Sequence, residues 1–138
     1  MSAFAPMKLQ QAVFAALAAD PTLAAKVAGI HDGPPDHARM PYIALGDTST
    51  EDASTKSHAG QRVSFDVLVW SDAGGQMEAK ELMAHADAAL TASPITLEGL
   101  SLVYLRLVSS GVTRRIAGHG TQYRGRLSYR ALVMAPAV

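Results

Sequence analysis

The sequence contains no cysteine, which excludes disulfide stapling and any chemistry that needs a thiolate. No stretch approaches the ~20 consecutive apolar residues that a bilayer-spanning helix needs, so no membrane partner is expected. The opening MSAFAPMKLQ lacks the basic head and apolar middle of a secretory signal, and a soluble, cytoplasmic protein is the expectation. There is no His-x-x-x-His pair, no Gly-x-Ser-x-Gly elbow and no Walker lysine, so the common signatures of metal, nucleophile and phosphate chemistry are missing. Acid is also missing from one whole region. Residues 100–138 hold six arginines and no Asp or Glu, whereas residues 1–99 hold six Lys/Arg and twelve Asp/Glu. The net charge of zero therefore splits into −6 and +6. A neutral total argues against general nucleic-acid binding, which relies on excess positive charge. The split either cancels within one fold or lets an acidic surface of one copy meet a basic surface of another.

What is present fits one domain over residues 1–138, with nearly half of the residues apolar. Met7–Ala19 reads as a helix with Leu9, Val13, Ala16 and Leu17 on one stripe. Asp20 and Pro21 restart a short second helix, which Gly29 ends. IHDGPPDHARMP reads as a loop, because Gly33, Pro34 and Pro35 forbid regular structure. Tyr42–Gly46 is a short strand. Residues 47–60 then form a long polar loop with no large apolar residue. Arg62–Trp70 alternates cleanly as a strand, Gln76–Thr91 carries helical spacing, and Leu100–Val112 reads as a strand bent at Gly111. RRIAGHG is a turn and Thr121–Met134 a final strand. The expected fold is α+β: an antiparallel four-stranded sheet with two main helices packed on one face, in the order α-β-β-α-β-β.

Alternation assigns two sheet faces. Odd positions of 62–70 and 121–134 are apolar and belong against the helices. Even positions, Arg62, Ser64, Asp66, Leu68, Trp70, Arg124, Arg126, Ser128, Arg130 and Leu132, point away. Trp and Arg together are enriched at the centres of protein interfaces, so this face is either a contact surface or a tryptophan covered by a loop. The His31, Asp32, Asp36 and His37 loop offers possible cation ligands, or simply a rigid turn. Asp47, Glu51 and Asp52 lack the desolvated pocket that proton transfer requires, and SDAGGQ is most simply a helix-entry turn. In YRGRLSYR the aromatics and the arginines lie on opposite faces, so bases could not stack beside the charges. A small nucleic-acid-binding protein using this strand is nonetheless the alternative reading, and an enzyme built around the histidine loop a third.

The order of segments AGIHDGPPDHARMPYIALGD, STK, VSFDVLVWSDAGGQMEAKELM and YRGRLSYRAL resembles the tail-completion, or tail-terminator, proteins of long-tailed phages and prophages. Gene transfer agents carry a related protein. The likeness covers nearly the whole chain, although no single motif is diagnostic. It implies a structural, non-enzymatic virion protein without cofactor or metal, assembled in the bacterial cytoplasm. Such a protein forms a ring of itself, typically six copies, at the head-proximal end of the tail. There it ends tube growth and meets the tail tube protein and the head-tail connector or stopper, while DNA passes through the lumen without sequence-specific contact. With the resemblance in view, the expected subunit or tail interface comprises Ser54, Thr55, Lys56, Arg62, Trp70, Arg114, Arg115, Arg124, Arg126 and Arg130. The polar stretch is expected to be an arm that orders on assembly.

Overall fold

A computed structural model describes residues 4–33, 35–36, 38–92, 94–118 and 120–136. The first helix, α1 (Phe4–Ala19), buries Leu9, Val13 and Leu17, spaced four apart so that they stack on one face. A second, α2 (Pro21–Lys26), starts where the Asp20 carboxylate accepts the Leu23 N–H at 2.9 Å, satisfying one of the donors every helix start leaves open.

Five strands follow: β1 (Gly29–His31), β2 (Tyr42–Asp52), β3 (Gly60–Ser71), β4 (Ser101–Ala117) and β5 (Gly120–Met134), with α3 (Met77–Thr91) between β3 and β4. They form one mixed sheet in the order β1-β2-β3-β5-β4. The pair β1–β2 is parallel and the other three pairs are antiparallel. This corrects the four-stranded antiparallel sheet expected from sequence. The missed strand is three residues long and borders the Gly-Pro-Pro loop. Its pairing of Gly29, Ile30 and His31 with Tyr42, Ile43 and Ala44 is a contact between distant segments, which local periodicity does not register.

The 47–60 stretch also departs from its reading as a loop. Asp47–Asp52 belongs to β2, paired rung by rung with β3 as far as Asp52 opposite Gln61. Its composition hides this because β2 beyond Leu45 lies at the exposed side of the sheet and has no apolar face to declare. Only residues 53–59 turn. Ala53 N–H donates to the Gly60 carbonyl at 2.9 Å and Thr55 N–H to that of His58 at 2.8 Å. Likewise β4 passes straight through Gly111, which pairs with Arg126, and runs on to Ala117. RRIA is therefore strand, and the turn to β5 is tighter than the glycines suggested.

The helices cover one face of the sheet. Val63, Phe65, Val67 and Val69 of β3 and Leu127, Tyr129, Ala131 and Val133 of β5 are buried there against Leu9, Val13, Leu82, Met83, Ala86 and Leu90. Odd positions of both strands thus face the helices, as alternation required. Gly125 lies in that row, and a Cβ on it would sit 2.5 Å from Met83 Sδ; the missing side chain lets α3 approach the sheet.

Candidate interface on the outer sheet face

The strand register builds the opposite face directly, because residues paired across strands share a face. Five rungs cross it. Glu51, Arg62, Leu132 and Tyr104 make the first; Ser49, Ser64, Arg130 and Arg106 the second. Asp66, Ser128 and Ser109 make the third; Ala44, Leu68, Arg126 and Gly111 the fourth. Tyr42, Trp70, Arg124 and Thr113 make the fifth. Among the described residues no helix covers this face, yet its side chains bond to one another.

At one end Trp70 stacks on Tyr42 with ring centroids 6.2 Å apart, and the guanidinium groups of Arg115 and Arg124 lie 5.4 and 5.9 Å from the indole centroid. This is cation–π packing on the ring's negative face. Tyr42 is nearly buried, and burial raises its phenol above the usual tyrosine range. In the middle, the Ser128 hydroxyl donates to Asp66 Oδ1 at 2.6 Å, and Arg126 donates to Ser128 Oγ and, at 3.0 Å, to Ser109 Oγ. At the other end Arg62 pairs with Glu51 at 2.7 Å. The hydrogen bonds to Glu51 and to Tyr104 raise its guanidinium above its ordinary value. Arg106 lies over the Tyr104 ring at 4.1 Å.

The face is rich in donors and poor in acceptors. Six arginines (62, 106, 115, 124, 126 and 130) share it with three acids: Glu51 and Asp66, each already engaged, and Asp47 at the margin of β2. Trp70 Nε1 and Arg124 Nε are buried with no acceptor among the described residues. Such an arrangement suits an acidic or carbonyl-rich partner surface.

Of the residues singled out from sequence, Arg62, Trp70, Arg115, Arg124, Arg126 and Arg130 are brought together here. Arg114 is not. It pairs with Tyr123, one position out of phase with Arg115, and so points to the other side. Ser54, Thr55 and Lys56 lie beyond the last rung, in the β2–β3 turn. Ser54 accepts the Gly60 N–H at 3.1 Å and bonds Asp52 at 2.7 Å; Thr55 accepts the His58 N–H at 3.1 Å. These bonds link residues of the turn to one another within the single chain. Tyr42, Glu51, Tyr104, Arg106 and Ser109 were missed. The Tyr104-x-Arg106 alternation was available, but β4 contains register shifts after Leu102 and after Leu107 that break the parity needed to assign its faces.

The histidine loop is divided. His31 belongs to β1 and meets the Tyr42 ring edge-on at 5.7 Å, while Pro34 and His37 lie outside the described residues. No group of three His, Asp or Glu side chains placed to hold a metal occurs among the described residues.

Comparison with known proteins places this geometry in context. Residues 11–134 match the family model described as Tail completion protein gp17. The chain is 34% identical over 85 residues to the tail completion protein gp17 of Bacillus phage SPP1, a match spanning 58% of this chain and 61% of that protein. A chain in the solved virion of a native gene transfer agent particle superposes with a TM-score of 0.82 at 32% identity, covering 94% of this chain and 97% of that one. The structure of the SPP1 gp17 protein superposes with a TM-score of 0.65 at 23% identity, covering 95% and 94%; at that identity the likeness speaks to fold alone.

Proposed function

The chain belongs to the tail completion protein gp17 family, and we propose that it forms a ring, most simply of six copies, at the head-proximal end of a tail tube. It is a structural tail protein. In this reading it resides in the virion or virion-like particle, ends growth of the tube, and joins the tail tube protein to the head-side connector. DNA crosses the lumen without sequence-specific contact. The observation that carries the reading is the match, over almost the full length of both chains, to a component of a gene transfer agent virion. A closed ring needs two different surfaces on each copy, meeting head to tail. The outer sheet face, with Arg62, Trp70, Arg115, Arg124, Arg126 and Arg130, supplies one of them. The β2–β3 turn with Ser54, Thr55 and Lys56, and Arg114 on the far side of β4, supply contacts to the adjoining copy or tail ring. No catalytic step is assigned to the protein, because its role is exercised by shape and contact.

The test is removal of the gene from the particle-producing strain. Loss of joined particles, with free heads and tubes of uncontrolled length in electron micrographs, is the expected result. Particles of normal length and attachment would refute the reading. Steep, salt-dependent binding of DNA by the isolated monomer would instead favour the nucleic-acid alternative.

A further inference from the structure

The sheet has two strand edges without a neighbour, on opposite sides, and their chemistry is complementary. On one side β1 pairs only with Tyr42, Ile43 and Ala44. The outward edge of β2 from Asp47 to Asp52 has no strand beside it among the described residues, and every residue in it is exposed. On the other side β4 ends the sheet, with Val103 57%, Leu107 40% and Val108 51% exposed. The β2 edge carries Asp47, Glu51 and Asp52; the β4 edge carries Arg106, Arg114 and Arg115 and no acid. Arg106 also stands directly opposite Arg130, and neither is in an ion pair among the described residues. Like charges facing each other across strands destabilise a sheet, so this rung is improved by carboxylates from outside.

We propose that in the ring, and resting on that reading, the Asp47–Asp52 edge of one copy adds as an antiparallel strand to the Val103–Ser109 edge of the next, making the sheets continuous around the assembly. Direction follows from topology. Strand β2 is antiparallel to β3, β3 to β5 and β5 to β4, so β4 runs opposite to β2. Rotation about an axis along the strands preserves that relation, and the two edges meet in the antiparallel sense, the more stable of the two pairings. Register follows from closure. A flat ring has no rise from copy to copy, so rungs at equal height meet. The rung through Glu51 ends at Tyr104, and the rung through Ser49 ends at Arg106. Arg106 is thereby flanked by the incoming Asp47 and Glu51, while Val103 and Leu107 lose their exposure. The two register shifts in β4 and its arginines guard an otherwise open edge against indiscriminate pairing, and charge admits the acidic strand.

Because the chain has no native cysteine, disulfide trapping tests this cleanly. The pairs are Ser49→Cys with Arg106→Cys on the outer face and Thr48→Cys with Leu107→Cys on the inner one. Mixed single variants are expected to give cross-linked dimers on oxidation, single variants alone none, and each double variant a ladder ending at the ring. Amides of 47–52 and 103–109 in the wild-type protein are expected to exchange at least about tenfold more slowly in the ring than in the monomer. Rings of full mass with neither cross-links nor slowed exchange would overturn the strand addition and leave the ring standing. A protein monomeric at every concentration and in particle extracts would overturn both.

Discussion

The Tyr129 hydroxyl donates to Asp87 Oδ1 at 2.7 Å, tying the middle of β5 to α3 through an otherwise apolar layer. Burial, with the carboxylate beside it, holds this phenol far above its ordinary range. A group whose folded pKa is raised ionises first in the unfolded chain. Its contribution is therefore complete below the unfolded value of about 10 and is lost as pH climbs above it. Tyr129→Phe keeps the ring stacked on Phe65, 5.4 Å away, and removes only the hydroxyl. The expected loss is about 1 kcal/mol at neutral pH, with a shallower decline above about pH 10 than in the wild type. Urea titrations at neutral and alkaline pH measure both, and equal alkaline slopes would contradict the assignment.

A second buried polar contact sets the junction between β3 and α3. Ser71 is fully buried; it donates to Glu78 Oε1 at 2.7 Å and accepts the Ala73 N–H at 3.3 Å. Gln76, at the start of α3, offers no side-chain cap; the serine instead ties the strand end to the Glu78 carboxylate in the first turn of α3. Ser71→Ala is expected to cost about 1–2 kcal/mol, and Glu78→Gln less, because an amide oxygen still accepts the bond. Thermal unfolding of both variants gives the order, and a Gln variant weaker than the Ala variant would reverse the explanation.

These two contacts show what one-dimensional reading reaches. The alternation of Val63, Phe65, Val67 and Val69 and the spacing of Leu82, Met83, Ala86 and Leu90 placed the core correctly, because burial on one face imposes a period on the residues themselves. No such period marks Glu78, whose partner Ser71 lies at the end of the preceding strand. Parity also separated the arginines of β5 from its tyrosines. It failed where pairing is non-local or irregular. Ile30 owes its strand to Tyr42–Ala44 beside it, Thr48–Asp52 owe theirs to Gln61–Phe65, and the bulges in β4 shift its faces. None of these leaves a periodic trace.

Trp70 was singled out as an anchor for a neighbouring subunit, yet within one chain it already holds Tyr42, Arg115 and Arg124 around it. Trp70→Ala is therefore expected to destabilise the monomer itself by roughly 1–3 kcal/mol, less than for a fully enclosed tryptophan. Trp70→Phe should recover most of that, since a ring still stacks on Tyr42. Circular dichroism melting of the monomer decides. An unchanged midpoint for the alanine variant would mean that the indole serves assembly alone.

Arg126 and Arg130 sit two rungs apart on the same face and separate fold from function. Arg126 is bonded to Ser109 and Ser128, and through Ser128 to Asp66; Arg126→Ala breaks a network within the monomer and is expected to cost about 1 kcal/mol of its stability. Arg130 is exposed, beside Arg106. Arg130→Glu relieves that like-charge rung, so monomer stability should stay within about 0.5 kcal/mol of the wild type or rise slightly. It also turns the donor surface offered to an acidic partner into a repulsive one, and the fraction of ring in sedimentation velocity should fall at least about tenfold at low salt. Raising the salt should narrow the gap between variant and wild type, because screening weakens exposed charge contacts. A variant that assembles like the wild type at low salt would remove the arginine face from the contact between copies.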